Sequence, residues 1–445
     1  MTAAEYIADY FDASESHAVS APWGGRLGDL LVLLIPASAF AEIHLVGRLF
    51  APDLLLLAML PFVLASNLSA LRQHLPKTFL ALGIVWLAGQ VATDLIRSTP
   101  FEDYSRGWAM IIVTLTNFTV LYELLADDSR RIVLYTLGSA AGKLLTYFLN
   151  PGTFAAAEPW KFGYGSAITL LIVLIASFAN ARSRSFGAIA LMMFAAALNL
   201  YNGFRSLAGE CFLTAAYLLL QRIAFLRRDR GGQITVAGAL FAFATLALAS
   251  LAILQIYEYS ASEGMLGYAA EHKYEIENSG RYGVLLGGRS EFLLGLEAAL
   301  DSPLIGHGSW AKDWRYAARI DTMMSGFGYQ TSGPADSWDI PEHSHLVGAW
   351  VNAGILGAVF WLWILWLPAG VLGRLYNAYD ALSPLIVFVA FVLAWDVMFS
   401  PYGAERRFIT PYYVIVMMSF LSRHATASSS PVVTGGVLAA SEAYR

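Results

Sequence analysis

Long runs of apolar residues, separated by short polar connections, dominate this chain. A helix that crosses a membrane needs about 20 mostly apolar residues, and about twelve segments of that kind can be found. They lie near residues 27–47, 52–71, 77–96, 107–126, 131–149, 163–180, 184–201, 207–226, 233–256, 345–369, 382–400 and 408–424. The pattern therefore predicts an all-α integral membrane protein with about twelve transmembrane helices.

Composition agrees with this class. Apolar residues make up 57% of the 445 residues, charged residues make up 14%, and mean hydropathy is +0.55. These values exclude an ordinary soluble domain. The net charge of -5 gives no reason to expect nucleic acid as a partner, and in a membrane protein the placement of Lys and Arg is more informative than their sum.

The placement of basic residues predicts the topology. If the N-terminus is cytoplasmic, the short outward connections hold about half as many Lys and Arg as the inward ones, as the positive-inside rule requires. The predicted parts are a cytoplasmic segment 1–26, transmembrane helices 1–9 over 27–256, an outward loop 257–342, transmembrane helices 10–12 over 343–424, and a cytoplasmic tail 425–445. The acidic first segment lacks the pattern of a cleaved signal peptide.

The outward loop is far longer than most connections, and such loops are usually functional. Its apolar residues recur at helical spacing from Arg289 to Leu300, between Gly287-Gly288 and Ser302-Pro303, which predicts a helix against the membrane face. Gly306-His307-Gly308 predicts a tight turn. The aromatic and Gly-rich stretch from Tyr329 to Trp338 is the candidate for a lid over a site.

A histidine opens the tenth apolar segment, where water meets lipid. With Pro341 at the start of a continuous helix, Gly354 and Gly357 share a face with His343, whereas His345 points to the opposite side. The helix dipole favours neutral imidazole in a first turn, and a general base must be neutral. Interfacial polar residues without a special role are the equally open interpretation of both histidines.

Two arginines beside glycines are candidate anion anchors, because a guanidinium fork suits phosphate oxygens. Arg205 follows Asn202-Gly203-Phe204, and Arg289 follows Gly287-Gly288. Contact with lipid headgroups is the alternative for both. The segments also contain ionisable residues for which a structural pairing is favoured over catalysis, while Arg406 and Arg407 could extend an anion site. These embedded residues are Glu42, His44, Lys143, Glu210 and Asp396.

Metal and disulfide chemistry are not expected. The single cysteine, Cys211, lies in the eighth segment, and the loop histidines His272 and His307 lack a second ligand at metal spacing. No paired acidic cluster suggests Mg²⁺.

Three short motifs resemble those of the bacterial O-antigen ligase and O-antigen polymerase superfamily. His343-Ser344, nine residues and Gly354-Ile355-Leu356-Gly357 match its histidine motif, in which Gly-x-x-Gly closes the pattern. Gly288-Arg289, the helix after it and Pro303-Leu304-Ile305-Gly306-His307-Gly308 are similar to its Gly-Arg segment. Phe204-Arg205-Ser206 resembles its Ser-Arg motif, with phenylalanine in place of serine. These three motifs span roughly residues 200–360 of the chain.

The resemblance implies a GT-C-like fold in the bacterial inner membrane, with the loop between spans 9 and 10 in the periplasm. It implies an inverting, metal-independent glycosyltransferase that needs no cofactor. Arg205 and Arg289 would hold the diphosphate of an undecaprenyl-diphosphate-linked glycan, and His343 would act on the acceptor hydroxyl, among membrane lipids. The supporting candidates are His345, Gly288, Arg406 and Glu210.

Three alternatives stay open. A ligase would use lipid A-core as acceptor, and the His-Ser motif favours it modestly. An O-antigen or exopolysaccharide polymerase would use another lipid-linked glycan. A flippase for lipid-linked oligosaccharides, of a different class, would favour ionisable pairs near the midplane and repeated halves, whereas these candidates concentrate on one outward face.

Overall fold

The structure of the protein is a computed structural model, and it describes residues 25–44, 47–66, 68–182, 184–228, 248, 251, 255–265, 267–279, 290–326, 338–376, 378 and 380–429. Several predictions concern residues outside these ranges. They are the N-terminal segment up to residue 24, most of the ninth predicted span, Gly288, Arg289, most of the proposed lid and the last residues from 430.

Helices make up most of the described chain. The α-helices are α1 (Gly25–Ala37), α2 (Ala51–Leu64), α3 (His74–Arg97), α4 (Phe101–Leu125), α5 (Ser129–Leu149), α6 (Thr153–Ala157), α7 (Gly165–Ala181), α8 (Ser185–Tyr201), α9 (Arg205–Arg228), α10 (Tyr268–Ser279), α11 (Ser290–Asp301), α12 (Trp314–Gly326), α13 (His345–Ala353), α14 (Ile355–Leu375), α15 (Ser383–Phe399) and α16 (Arg406–Ser429). Residues 255–262 are also helical. A π-helical turn, Pro159–Tyr164, leads into α7, and the strands β1 (Glu42–His44) and β2 (Arg48–Phe50) form an antiparallel hairpin.

Five helical segments of the described chain are long and apolar enough to cross a membrane. They are α3, α4, α5, α14, and α7 together with the turn before it. Shorter apolar helices, α2, α8 and α15, accompany them. The protein is thus mostly helical with several candidate membrane spans, as the apolar runs predict. The total of twelve spans stays a prediction.

An aromatic core joins α3, α4 and α14. The ring of Phe79 in α3 stacks on Phe118 of α4 at 3.8 Å and meets the edge of Phe360 of α14 at 5.2 Å. Trp86, two turns further along α3, stacks on the same Phe360 at 5.0 Å. Such ring pairs stabilise a packed core beyond the area that they bury. They hold the beginning of α14 beside the first half of α3.

The first predicted span is wrong in its extent. Instead of a helix through residues 27–47, α1 ends at Ala37, and the chain turns into the β1–β2 hairpin. Arg48 donates to Glu42 Oε2 at 2.7 Å across this hairpin. The two charged side chains thereby pair with each other outside a helix, and His44, like Glu42, belongs to the hairpin. An average of hydropathy does not reveal such a reversal, because it counts apolar residues without regard to backbone direction.

The helix bundle has two ends that can be told apart by their contacts. At one end, Lys312 of the loop segment between α11 and α12 donates to Asp103 in the first turn of α4 at 3.1 Å. At the other, Asn180 of α7 donates to the carbonyl oxygens of Asp380 and Ala381, before α15. We call the first end the loop-bearing end. The ends of α3 and α15 and the beginnings of α14 and α16 lie there.

Candidate functional site

The imidazole of His343 lies against the start of α11. Its Nδ1 contacts Oε2 of Glu291, which belongs to the first turn of that helix. The side chain of His343 is 49% exposed and that of Glu291 is 29% exposed, so both are reachable from water. A carboxylate on Nδ1 orients the ring and stabilises the positive charge that develops when Nε2 accepts a proton. His343 could therefore act as a general base, with Glu291 as the carboxylate that orients it.

His343 precedes its helix, contrary to the prediction of a helix starting at Pro341. α13 begins at His345, and Ser344 is the N-cap, with its Oγ accepting a hydrogen bond from Val347 N at 3.1 Å. The same Oγ donates to the carbonyl oxygen of Val397 in α15 at 2.9 Å. The helical phase that placed His343 on one face with Gly354 and Gly357 therefore does not apply. The ring is oriented by Glu291 instead.

His345 is buried and has the contacts of a structural residue. Its Nδ1 is 2.6 Å from the carbonyl oxygen of Ser400, which makes Nδ1 the protonated nitrogen. The ring lies edge-on between Trp361 and Tyr402, at centroid distances of 5.0 and 4.9 Å. Nε2 is buried and has no hydrogen-bond partner in the described part of the chain. As a supporting residue, His345 ties α13 to the connection between α15 and α16.

The tenth predicted span is broken at Gly354, where a continuous helix was expected. Gly354 has φ +64° and ψ -157°, ends α13 and precedes α14. A Cβ at this position would lie 2.2 Å from the carbonyl oxygen of Leu304. At Gly357 a Cβ would lie 2.3 Å from the carbonyl oxygen of Ala349. The first glycine is needed for its backbone conformation and the second for the close approach of another part of the backbone. Both lie at the break between two helices rather than along one continuous helix.

The loop after α11 docks into this break. Gly306 and Gly308 have φ of +82° and +97°, so the predicted tight turn is confirmed. Between them, His307 N donates to the carbonyl oxygen of Val351 at 2.6 Å. Gly308 N donates to that of Asn352 at 3.2 Å. Carbonyls left without helical partners at the end of α13 are thus satisfied by the loop.

Glu342, next to His343, belongs to a polar contact of its own. Nδ2 of Asn352 lies 2.9 Å from both carboxyl oxygens of Glu342. Burial raises the pKa of Glu342 from 4.5 to about 8, although the hydrogen bond from Asn352 opposes this. Asn352 Oδ1 is buried without a hydrogen-bond partner among the described residues. Glu342 and Asn352 therefore form a polar pair beside His343.

Of the predicted cationic residues, Arg205 and Arg406 lie within the described part of the chain. Arg205, at the start of α9, stacks its guanidinium over the ring of Tyr257 at 4.8 Å. Arg406, at the start of α16, forms an ion pair with Asp396 of α15, whose side chain is 7% exposed. Arg289, with Gly288, lies outside the described residues. The structure brings His343 to Glu291 and Arg406 to Asp396, while the contact found for Arg205 is with Tyr257.

Glu210 and Lys143 face the same group of charges as Arg406. Glu210 is buried, one turn into α9, and it acts electrostatically on Arg406. Lys143 of α5 is influenced by Arg406, Glu405 and Asp396. The structural pairing of Glu210 with Lys143 or Arg205 stays a prediction, and both Glu210 and Lys143 interact electrostatically with Arg406. Within the described ranges, no group of three or more His, Cys, Asp or Glu side chains could hold a metal ion.

Comparison with known proteins leaves the site to be interpreted by its chemistry. No family model matches the chain, and no curated protein matches it. The interpretation therefore depends on which residues the fold brings together.

Sequence reasoning missed Glu291 as a functional residue. It appears in the sequence as part of the polar face of the loop helix, 52 positions before His343, and neither its type nor its spacing singles it out. Its place in the first turn was the available signal, since carboxylates are favoured there. Glu342 is a second residue outside the sequence predictions, and its place between Pro341 and His343 at the start of the tenth segment was the available signal.

Proposed function

We propose that the protein is a membrane glycosyltransferase that moves a glycan from an undecaprenyl-diphosphate carrier to an acceptor hydroxyl, with the chemistry of an O-antigen ligase. The observation that carries the proposal is the contact between His343 and Glu291. It joins the segment that resembles the histidine motif to the helix that follows Gly288-Arg289. The carboxylate partner of a partly exposed base thereby lies two positions after Arg289, a candidate anion anchor.

A second contact between the same two segments supports the proposal. The loop of Leu304 to Gly308 lies directly against Gly354, since a Cβ on Gly306 would come within 2.6 Å of Gly354 N. Both halves of the motif pattern therefore form one packed unit, with His343 and Glu291 at its exposed edge. Contacts at both ends of the unit fix the position of α11 relative to His343.

In the proposed reaction, Nε2 of His343 takes the proton of the acceptor hydroxyl while the hydroxyl oxygen attacks the anomeric carbon. Glu291 stabilises the imidazolium that forms. The bond from the anomeric carbon to the diphosphate breaks on the opposite side, which inverts the configuration. Arg289, which precedes Glu291 by two positions, and Arg205 would stabilise the negative charge on the departing lipid diphosphate. These residues perform every step without a metal ion.

Lipid A-core is the proposed acceptor, and the enzyme would act at the periplasmic face of the bacterial inner membrane. O-antigen or exopolysaccharide polymerisation is the alternative with the same chemistry and a second lipid-linked glycan as acceptor. The choice depends on the acceptor alone, because donor activation and proton transfer are identical in both reactions.

A flippase for lipid-linked oligosaccharides is the candidate of another class. The buried ion pair of Asp396 and Arg406 is the observation in its favour, since charge among apolar helices often marks a transport path. This pair joins the last turn of α15 to the beginning of α16, at the loop-bearing end, rather than midway along the helices. A transporter site is expected near the midplane, so the position favours a site at one face.

The test uses purified protein in nanodiscs with a synthetic undecaprenyl-diphosphate glycan, and either lipid A-core or a second lipid-linked glycan. We expect His343→Ala to slow transfer by about 10²-fold or more, as for the loss of a general base. Glu291→Gln should slow it by a smaller factor. His272→Ala and Glu297→Gln are matched controls. His272 lies on another helix, α10, where its Nδ1 is 3.9 Å from Glu275 Oε2. Glu297 lies on α11 itself and pairs with Arg319 of α12.

Four outcomes decide between the candidates. Transfer to lipid A-core supports the ligase, and transfer only to the lipid-linked glycan supports a polymerase. The protein is also reconstituted into vesicles. Movement of the donor across the vesicle membrane, without any transfer, supports the flippase. Full transfer activity in a folded His343→Ala protein would remove His343 from the mechanism.

A further inference from the structure

The buried carboxylate of Asp94, near the end of α3, accepts hydrogen bonds from four donor groups. Oδ1 accepts from Ser309 N at 2.6 Å, and Oδ2 accepts from Ser309 Oγ at 2.7 Å. Oδ2 also accepts from Trp108 Nε1 of α4 at 2.8 Å and from Gln90 Nε2 at 3.3 Å. Asp94 is 2% exposed and Ser309 is 2% exposed. A carboxylate this far from water needs such donors, and two of them belong to the loop after α11.

The surroundings of Ser309 are shaped to receive it. A Cβ on Gly107 of α4 would lie 2.1 Å from Ser309 Oγ, so only glycine leaves room for the side chain. Gly308, which has φ +97°, would meet Thr99 Oγ1 at 2.6 Å if it carried a Cβ. The serine is therefore enclosed by α3, α4 and its own turn, which form a fitted receptacle for one residue of the loop.

A second set of contacts anchors the same loop to α3. Arg97 donates through Nε and Nη2 to the carbonyl oxygen of Gly306 at 3.0 and 2.8 Å, and through Nη2 to Ser302 Oγ at 2.7 Å. Thr93 Oγ1 donates to the carbonyl oxygen of Ile305. One face of α3 thus holds the chain from Ser302 to Ser309, directly after α11.

We propose that Asp94 is a positioning residue that holds Glu291 and His343 in register by locking this loop to α3. This inference rests on the proposed function for its effect on catalysis. One path of contacts runs from Ser309 back through the loop to α11 and Glu291. The other runs from Gln90, which donates to the carbonyl oxygen of Asn352 at 3.3 Å, to the Asn352–Glu342 contact beside His343.

Asp94→Asn is the informative substitution, because it keeps the size of the side chain and reverses the role of one atom. The amide nitrogen would replace one carboxyl oxygen, yet Ser309, Trp108 and Gln90 all offer donors there. Two donors then face each other in a buried place, which is unfavourable. The loop is expected to leave the receptacle, while α3 keeps its helical backbone.

The direct test measures loop position without any glycan. Cys211, the single cysteine of the chain, is replaced by alanine, and spin labels are attached at Leu300→Cys on α11 and Phe154→Cys on α6. Both positions are exposed. Double electron–electron resonance measures the distance between the two labels in nanodiscs. It should give a narrow distance distribution in the otherwise native protein and a broad or shifted one with Asp94→Asn. Ser309→Ala, which keeps the backbone donor, should broaden it less.

The catalytic consequence is measured on the same proteins without labels. A displacement of about 1 Å at a reacting group can cost about 10²-fold in rate. We expect Asp94→Asn to reduce the single-turnover transfer rate by less than this, but at least about tenfold. Asp380→Asn is the control, since Asp380 is a partly buried aspartate 3.6 Å from Arg423 at the opposite end of the bundle. It should change neither the distance distribution nor the rate.

The possible failures are distinguishable. A native distance distribution in folded Asp94→Asn protein overturns the positioning role, whatever the activity. A broadened distribution with an unchanged transfer rate shows that the lock exists but does not serve catalysis, and this also overturns the inference. If the parent protein transfers no glycan, the proposed function fails, and the distance measurement still decides whether Asp94 locks the loop.

Discussion

Gly354→Ala perturbs the backbone at the one position where the tenth predicted span changes direction. Gly354 combines φ +64° with ψ -157°, a region that only glycine occupies without strain. Its missing side chain also leaves space for the loop, since a Cβ would lie 2.2 Å from the carbonyl oxygen of Leu304 and 2.7 Å from the carbonyl carbon of Ile305. Alanine would therefore be strained and would also collide with backbone.

The two costs can be added because they have separate causes. Holding a residue with a side chain in this backbone region costs about 1–3 kcal/mol. Inserting a methyl group into a packed place costs about 1–3 kcal/mol more. We expect Gly354→Ala to lower the free energy of unfolding by about 2–6 kcal/mol, a large part of the ~5–15 kcal/mol that usually stabilises a folded protein.

The assay is unfolding of the purified protein by a denaturing detergent, followed by tryptophan fluorescence, for which the chain offers 12 tryptophans. Gly373→Ala, in the helix α14 that follows Gly354, is the matched control, because a Cβ there would meet nothing within 4 Å. An added methyl group at an exposed helical glycine stabilises by roughly 0.5–1 kcal/mol. The two glycine-to-alanine changes should therefore shift the midpoint in opposite directions.

One result would refute this reasoning. If Gly354→Ala unfolded at the same detergent fraction as the parent protein, then a residue with a side chain fits the break, and the contact between the loop and Gly354 is not as described. A loss of expression alone would not decide the matter. In that case the free energy is measured on Gly354→Ser, which imposes a similar strain, after refolding.

The remaining predictions concern charge, and each has its own measurement. Burial raises the pKa of Glu342 to about 8. The unfolded chain therefore loses this proton near pH 4.5, and the folded chain loses it only near pH 8. The free energy of unfolding should fall as the pH rises between these values and level off above them. Glu342→Gln should remove that part of the slope in thermal unfolding from pH 4 to 9, and a rise of stability with pH in this window that disappears in Glu342→Gln would contradict the assignment. Arg406→Ala leaves Asp396 buried without its ion-pair partner, which should cost about 3–5 kcal/mol in detergent unfolding. Adding Asp396→Asn should recover part of that loss, and no recovery would mean that the pair is not the cause.

Elements that depend on local patterns agree with the sequence predictions. The predicted segments 77–96, 107–126 and 131–149 correspond to α3, α4 and α5, and the predicted loop helix from Arg289 to Leu300 corresponds to α11. Each is recognisable because apolar residues either fill the segment or recur every three to four positions, and breakers mark its ends. The helical character of these segments follows from the spacing of their apolar residues, which is a local property of the sequence.

Where the predictions fail, the cause is a contact with a distant part of the chain. The helix expected to continue past Ala37 gives way to a hairpin with an Arg48–Glu42 pair across it. Likewise, the helix expected through Gly354 is interrupted by the loop from Leu304 to Gly308. A hydropathy profile contains no term for either contact.

The sequence by itself determined the mostly helical, apolar character of this protein, the loop helix and the histidine that opens the tenth segment, since these depend on residue type and local spacing. Only the tertiary structure decided that His343 stands outside its helix with Glu291 as partner, that His345 is buried, and that Asp94 of α3 encloses Ser309. The physical reason is distance along the chain. Asp94 and Ser309 are separated by 215 positions, and a hydrogen bond between such residues exists only after the helices have packed.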